Sequence, residues 1–132
     1  MVRTRPKGKD KTMNKITNTI RELNDRFRKA MPAASEIPGR VMLTQGIQHL
    51  TDNEAEPGKH LAGLFKAIRE FDAFDEDNDP HHEHDFGAFG FNGAKVFFKI
   101  DYYAPDLMHG SQDPTDPKQT IRVLTIMLAE EY

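Results

Sequence analysis

The sequence predicts an α+β domain: a small antiparallel sheet containing a central β-hairpin, packed by about three helices on one face. Three observations predict it. Two aromatic-rich runs, Asp85 to Phe91 and Ala94 to Tyr103, are separated only by Asn92-Gly93. That dipeptide tolerates positive φ at both positions, as a type I′ turn requires, and is a strong short-range hairpin signal. Two stretches before the hairpin and one after it carry apolar residues at helical spacing.

Residues 1–12 hold Pro6, Gly8 and five basic residues without apolar periodicity, and read as a flexible basic arm ahead of a single domain over residues 13–132. From Met13 to Met31, Ile16, Ile20, Leu23, Phe27 and Met31 recur at spacings of three or four, which predicts an amphipathic helix. Pro32, Pro38 and Gly39 end it, and Arg40 to Gly46, with Val41 and Leu43, reads as a short strand. The polar segment Thr51 to Gly58 leads to a second helix from Lys59 to Phe71, with Leu61, Leu64, Phe65, Ile68 and Phe71 as its buried stripe. Asp116-Pro117 reads as the N-cap and first position of a final helix reaching Glu131, while the β-branched run Val123 to Ile126 keeps a strand possible.

A two-residue turn fixes the hairpin register. Phe91 then faces Ala94, Phe89 faces Val96, Gly87 faces Phe98, Phe86 faces Lys99, Asp85 faces Ile100, and one step further His84 faces Asp101. Alternation puts Phe89, Phe91, Val96, Phe98, Ile100 and Tyr102 on the core side. The other side carries Phe86, Phe97, Lys95, Lys99, Tyr103 and the His84/Asp101 pair, and is the side expected to hold function. Gly87 and Gly90 lie inside a strand, where missing side chains let aromatic rings cross closely.

The chain has 132 residues, 37% hydrophobic and 30% charged, which fits one well-solvated core-forming domain and no membrane partner. It contains no cysteine, so disulfides, cysteine metal ligands and thiol nucleophiles are excluded. The first twelve residues lack the apolar stretch of a secretory signal, and the default location is cytoplasmic. Charge is lopsided: residues 1–31 hold ten Lys/Arg and three Asp/Glu, residues 32–132 eight Lys/Arg and eighteen Asp/Glu. A basic arm can make weak contact with phosphate backbones. An acidic body repels nucleic acid but is attracted to a protein surface built to hold it.

Two loops flank the hairpin. Asp72 to Asp79 carries Asp72, Asp75, Glu76, Asp77 and Asp79 and closes at Pro80; it lacks the ligand alternation and central glycine of a calcium loop. Ala104 to Asp116 carries Asp106, His109 and Asp113, and loops of that length are often functional. Between them, His81-His82-Glu83-His84-Asp85 sends His82 and His84 to one face if the strand extends that far. With Asp101, and His109 as a further ligand, such a set suits a transition metal that activates water. The alternative is a structural His84–Asp101 hydrogen bond. Phosphate-loop, H-E-x-x-H and G-x-S-x-G templates are absent, and no cofactor is expected.

The stretches F-D-x-F-x-x-D-N-D-P from Phe71 to Pro80, E-H-D-F-G-A-F from Glu83 to Phe89, V-F-F-K-I-D-Y-Y-x-P-D-L from Val96 to Leu107, and the terminal R-V-L-T-I-M-L-A-E-E-Y resemble a bacterial family catalogued as domain of unknown function three-seven-six-eight. The likeness spans roughly Ile20 to Tyr132 and leaves the basic arm outside. It implies a small soluble protein often carried on plasmids and other mobile elements, with no established activity. Two functions are expected from different classes. One is a binding protein of a mobile element, an inhibitor of a host nucleic-acid-directed defence complex of anti-CRISPR or anti-restriction type. Its protein partner would meet Asp75, Asp77, Asp79, His82, His84, Asp101, Tyr103, Asp106 and His109. The other is a metal-assisted hydrolase or nuclease using His82, His84 and Asp101.

Overall fold

The computed structural model describes residues 10–132, with side chains from Asn14 onward; residues 1–9 of the expected basic arm lie outside the described residues. The element order is α1 (Asp10–Ala30), β1 (Gly39–Leu43), α2 (Gln45–Thr51), α3 (Lys59–Glu70), β2 (Phe86–Phe91), β3 (Ala94–Tyr103) and β4 (Ile121–Leu128), closed by a 3₁₀ turn at Ala129–Glu131. The strands form one sheet in the order β1-β4-β3-β2. The β2–β3 and β3–β4 pairs are antiparallel and β1–β4 is parallel, so the sheet is mixed where a purely antiparallel one was expected. A parallel pair needs a long crossover, and here α2, α3 and the hairpin occupy it.

The hairpin follows the register that Asn92-Gly93 dictates, from Phe91 opposite Ala94 to Phe86 opposite Lys99. Asn92 (φ 49°) and Gly93 (φ 80°) both take the positive φ that a type I′ turn demands. Ile100 N–H donates to Asp85 O at 2.8 Å, which carries the pairing one residue further. There it stops, because His84 has φ 56° and leaves the strand.

The final element corrects the helix expected over Pro117 to Glu131. Ile121, Leu124 and Leu128 fit a helical spacing, but burial alternates through Arg122, Leu124 and Ile126 with period two, and the segment pairs with both β1 and β3. Asp116 caps no helix; its carboxylate accepts from Lys118 N–H (2.9 Å) and the Gln119 side chain (2.8 Å) in a turn ahead of β4. The third helix lies instead at α2, where Thr44 Oγ1 accepts from Ile47 N–H as N-cap and Ile47 and Thr51 are buried.

All three helices cover the same sheet face. Leu23, Phe27 and Met31 of α1 and its end, Ile47 of α2, and Leu64 and Ile68 of α3 pack on Val96, Phe98, Ile100, Leu124 and Ile126. Phe98 is fully buried, edge-on to Phe71 with ring centroids 5.3 Å apart. Gly87 is required here, since a Cβ at that position would lie 2.2 Å from Phe98 and 2.7 Å from Phe71. The core face is thus the one the hairpin alternation predicts, and among the described residues no α-helix lies on the opposite face, where Tyr132, after the 3₁₀ turn, packs on Phe86 and Phe97.

Candidate functional site

The acidic loop between α3 and β2 is built by its own carboxylates. Asp75 Oδ1 accepts from Asp77 N–H (2.9 Å) and Asn78 N–H (3.0 Å). Asp79 Oδ1 accepts from Glu83 N–H (3.0 Å) and His84 N–H (3.1 Å). These bonds bend His82 and His84 into left-handed backbone conformations, which aspartate-rich turns stabilise locally. Asp79 is 2% exposed, so it works inside the protein, holding the loop closed, and offers nothing to a partner. Asp77 is exposed.

His84 does not face Asp101, which corrects the expected pair. Its ring stacks on Phe74 (centroids 3.9 Å apart, planes 5° off parallel), and Nδ1 lies 2.9 Å from Asp25 Oδ1 on α1. Asp25 also pairs with Arg28, whose guanidinium donates to the carbonyls of Ile68, Arg69 and Phe71 and so caps the C-terminus of α3. Beside it, buried Arg122 donates to Asn24 Oδ1 (2.6 Å); Asn24 donates to Tyr102 Oη and to Glu83 O, and Tyr102 Oη donates to Glu83 Oε1. Burial raises the Tyr102 pKa, with the Glu83 charge adding to it, and burial lowers that of Arg122. Arg21 adds a bond to His82 O. The histidine-rich segment is therefore fastened to α1 by a polar lattice whose longest bond spans 98 residues of sequence, which local spacing does not reveal.

Asp101 lies on the uncovered sheet face and pairs with Lys99 at 3.1 Å. His109 sits in the second loop, where Asp106 accepts from its Nδ1 (2.8 Å) and from Met108 N–H, and these bonds hold the Asp106 carboxyl below its ordinary pKa. Tyr103 ends β3, bridging to Gly110. His84, Asp101 and His109 thus belong to three separate pairs. Among the described residues no group of three or more His, Asp or Glu side chains is arranged to hold a metal.

What the structure does assemble is a depression of about 390 Å³ where the acidic loop meets the uncovered face. Asp77, His81, Asp85, Phe86, Lys99, Asp101 and Tyr132 line it. Burial pushes the Asp85 carboxyl up to about 6, and the neighbouring negative charges of Glu83 and Asp79 add to the effect. Next to it, Phe86 packs on Phe97 (5.0 Å) and Tyr132 (5.8 Å), and Lys95 lies over the Phe97 ring. Of the residues expected to meet a partner, Asp77 and Asp101 come together here. Asp85 and Tyr132 were missed. The signal for Asp85 was its place opposite Ile100 at the foot of the hairpin, beneath a run of acids.

Residues 43–131 match the family model described as Protein of unknown function (DUF3768), and the chain belongs to that family. No curated protein and no solved structure matches it. The matched segment contains the acidic loop, the hairpin, β4 and every residue of the depression except Tyr132, while α1 lies outside it. No helix among the described residues is long and apolar enough to cross a membrane.

Proposed function

We propose that the protein is a binding module that captures a basic protein surface on the uncovered face of its sheet, with the Asp77/Asp85/Asp101 depression as the electrostatic anchor. One observation carries this reading: three helices shield a single sheet face, and the other keeps Phe86, Phe97 and Tyr132 beside Asp101, with Asp77 and Asp85 lining the rim of the depression. Aromatic rings flanked by charge suit protein recognition, since the rings supply contact area and the charges steer approach and reject wrong partners. Only Lys99 and His81 offset the three acids of the depression. A surface rich in Lys and Arg, of the kind that holds a nucleic-acid backbone, is the complement. In its specific form this is an inhibitor of a nucleic-acid-directed defence complex, serving a mobile element and occupying the channel in place of the phosphates.

The test is capture with the intact chain from bacterial extract, followed by competition. A captured protein should release this chain when single- or double-stranded DNA is added, and the Asp77→Arg/Asp101→Arg double variant should lose capture. A captured partner indifferent to both nucleic acid and charge reversal contradicts the reading.

A further inference from the structure

Among the described residues, strand β2 ends the sheet on the hairpin side, with β3 as its one neighbour. The Ile100 N–H to Asp85 O bond, with Phe86 opposite Lys99, fixes which residues bond to β3: positions 85, 87, 89 and 91. Phe86, Ala88 and Gly90 therefore turn their backbone N–H and C=O groups away from the sheet. Natural edges are usually blunted by lysine, proline or a bulge. This one reads Phe-Gly-Ala-Phe-Gly-Phe, with no charge and no proline. The opposite edge strand, β1, is preceded by Pro38 and carries Arg40.

We propose that β2 is a self-association edge, pairing antiparallel with β2 of a second copy about a two-fold axis at Ala88. Such an axis runs normal to the sheet and can pass through a hydrogen-bonded or a non-hydrogen-bonded pair, and centres at Gly87 or Phe89 would engage only two of the three outward-bonding residues. Ala88 is the choice that also engages both Phe86 and Gly90. In that register Phe86 lies opposite Gly90 of the second copy, Gly87 opposite its Phe89, and the two Ala88 residues meet on the axis. Phe86 and Phe89 then each stand beside a glycine, an arrangement known to favour strand pairing. The space exists: a Cβ at Gly90 would find nothing within 4 Å. The result is two four-stranded sheets joined edge to edge, helices on one side, with the aromatic-acidic faces continuous on the other.

Edge pairing over so few residues lies at the small end of specific interfaces, so the dimer should form at roughly 100 μM protein. Sedimentation velocity across that range should show the wild-type chain shifting from monomer to dimer. Ala88→Lys sets two ammonium groups against each other on an exposed edge and should weaken the dimer at least about tenfold. A second measurement does not depend on that variant's folding. The chain has no cysteine, and opposed Cα atoms in a hydrogen-bonded antiparallel pair lie about 5.5 Å apart, within disulfide range. Ala88→Cys should oxidise to a covalent dimer, whereas Gly90→Cys, facing Phe86, should not. A wild-type chain that stays monomeric, including one that accepts a strand only from another protein, overturns the proposal. So does a dimer that survives Ala88→Lys, or cross-linking as rapid at position 90 as at 88.

Discussion

His84 Nδ1 lies 2.9 Å from the carboxylate of Asp25, joining the end of the acidic loop to the middle of α1. The ring is pinned on its flat side by Phe74, so the contact fixes the direction in which the chain enters β2. Removing the acceptor with Asp25→Ala also strips Arg28 of its carboxylate. Hydrogen bonds to charged groups contribute about 1.5–3 kcal/mol, and the loss should fall in that range. Urea unfolding measures the total, and amide exchange should show the loss concentrated between Phe74 and Asp85.

Arg28 carries more. Its guanidinium is almost fully buried and satisfies the carbonyl end of α3 while lying over the Phe74 and Phe98 rings. Arg28→Met keeps the aliphatic stem but orphans those carbonyls and leaves His84 as the remaining partner of Asp25. A loss of about 3–5 kcal/mol is expected, as for breaking a buried pair by removing one partner. Thermal or urea unfolding checks it, and a loss below about 1 kcal/mol would mean that α3 ends satisfactorily on its own.

Asp85 makes stability pH-dependent. Its folded-state carboxyl titrates near 6, while an unfolded aspartate titrates near 4. The folded chain therefore holds the proton more tightly. This contribution is complete below about pH 4, is lost as pH rises through 6, and is flat above that. Partial exposure screens the effect, so about 1 kcal/mol is expected between pH 4.5 and 7.5. Asp85→Asn should abolish that slope and stabilise the protein at pH 7.5, as measured by urea midpoints at the two pH values.

Two glycines of the same strand should respond oppositely to alanine. Gly87→Ala drives a Cβ into the Phe98 and Phe71 rings, and overpacking of that kind costs about 1–3 kcal/mol. Gly90→Ala meets open space and should be neutral or stabilising by a few tenths of a kcal/mol to about 1 kcal/mol, through reduced freedom of the unfolded chain. Chemical denaturation of both variants at low micromolar concentration compares them.

These glycines also mark how far the sequence can be read. Gly87 admits close aromatic approach as strand logic suggests, whereas a side chain at Gly90 would meet open space, and no local signal separates the two. The hairpin was legible because Asn92-Gly93 enforces a register by backbone geometry alone, and the same register identified the core face and the uncovered one. The histidine site failed because Asp79, five residues upstream, captures the Glu83 and His84 N–H groups and ends the alternation at Asp85. A strand continued on paper through His84 could not register that competition. β4 was ambiguous because Ile121, Leu124 and Leu128 satisfy a helical period while Arg122, Leu124 and Ile126 satisfy a strand period. Long-range pairing with β1 and β3 decided it. The Arg122–Asn24–Tyr102–Glu83 lattice was invisible for the same reason, its members lying far apart in sequence.

Partner binding at the uncovered sheet face can be observed directly. The direct measurement is an NMR titration of the labelled chain with the partner it captures, following backbone amides. Shifts clustered at Asp77, Asp85, Phe86, Phe97, Lys99, Asp101 and Tyr132, with α1 and α3 unmoved, are the predicted result. Shifts confined to the helices would contradict it.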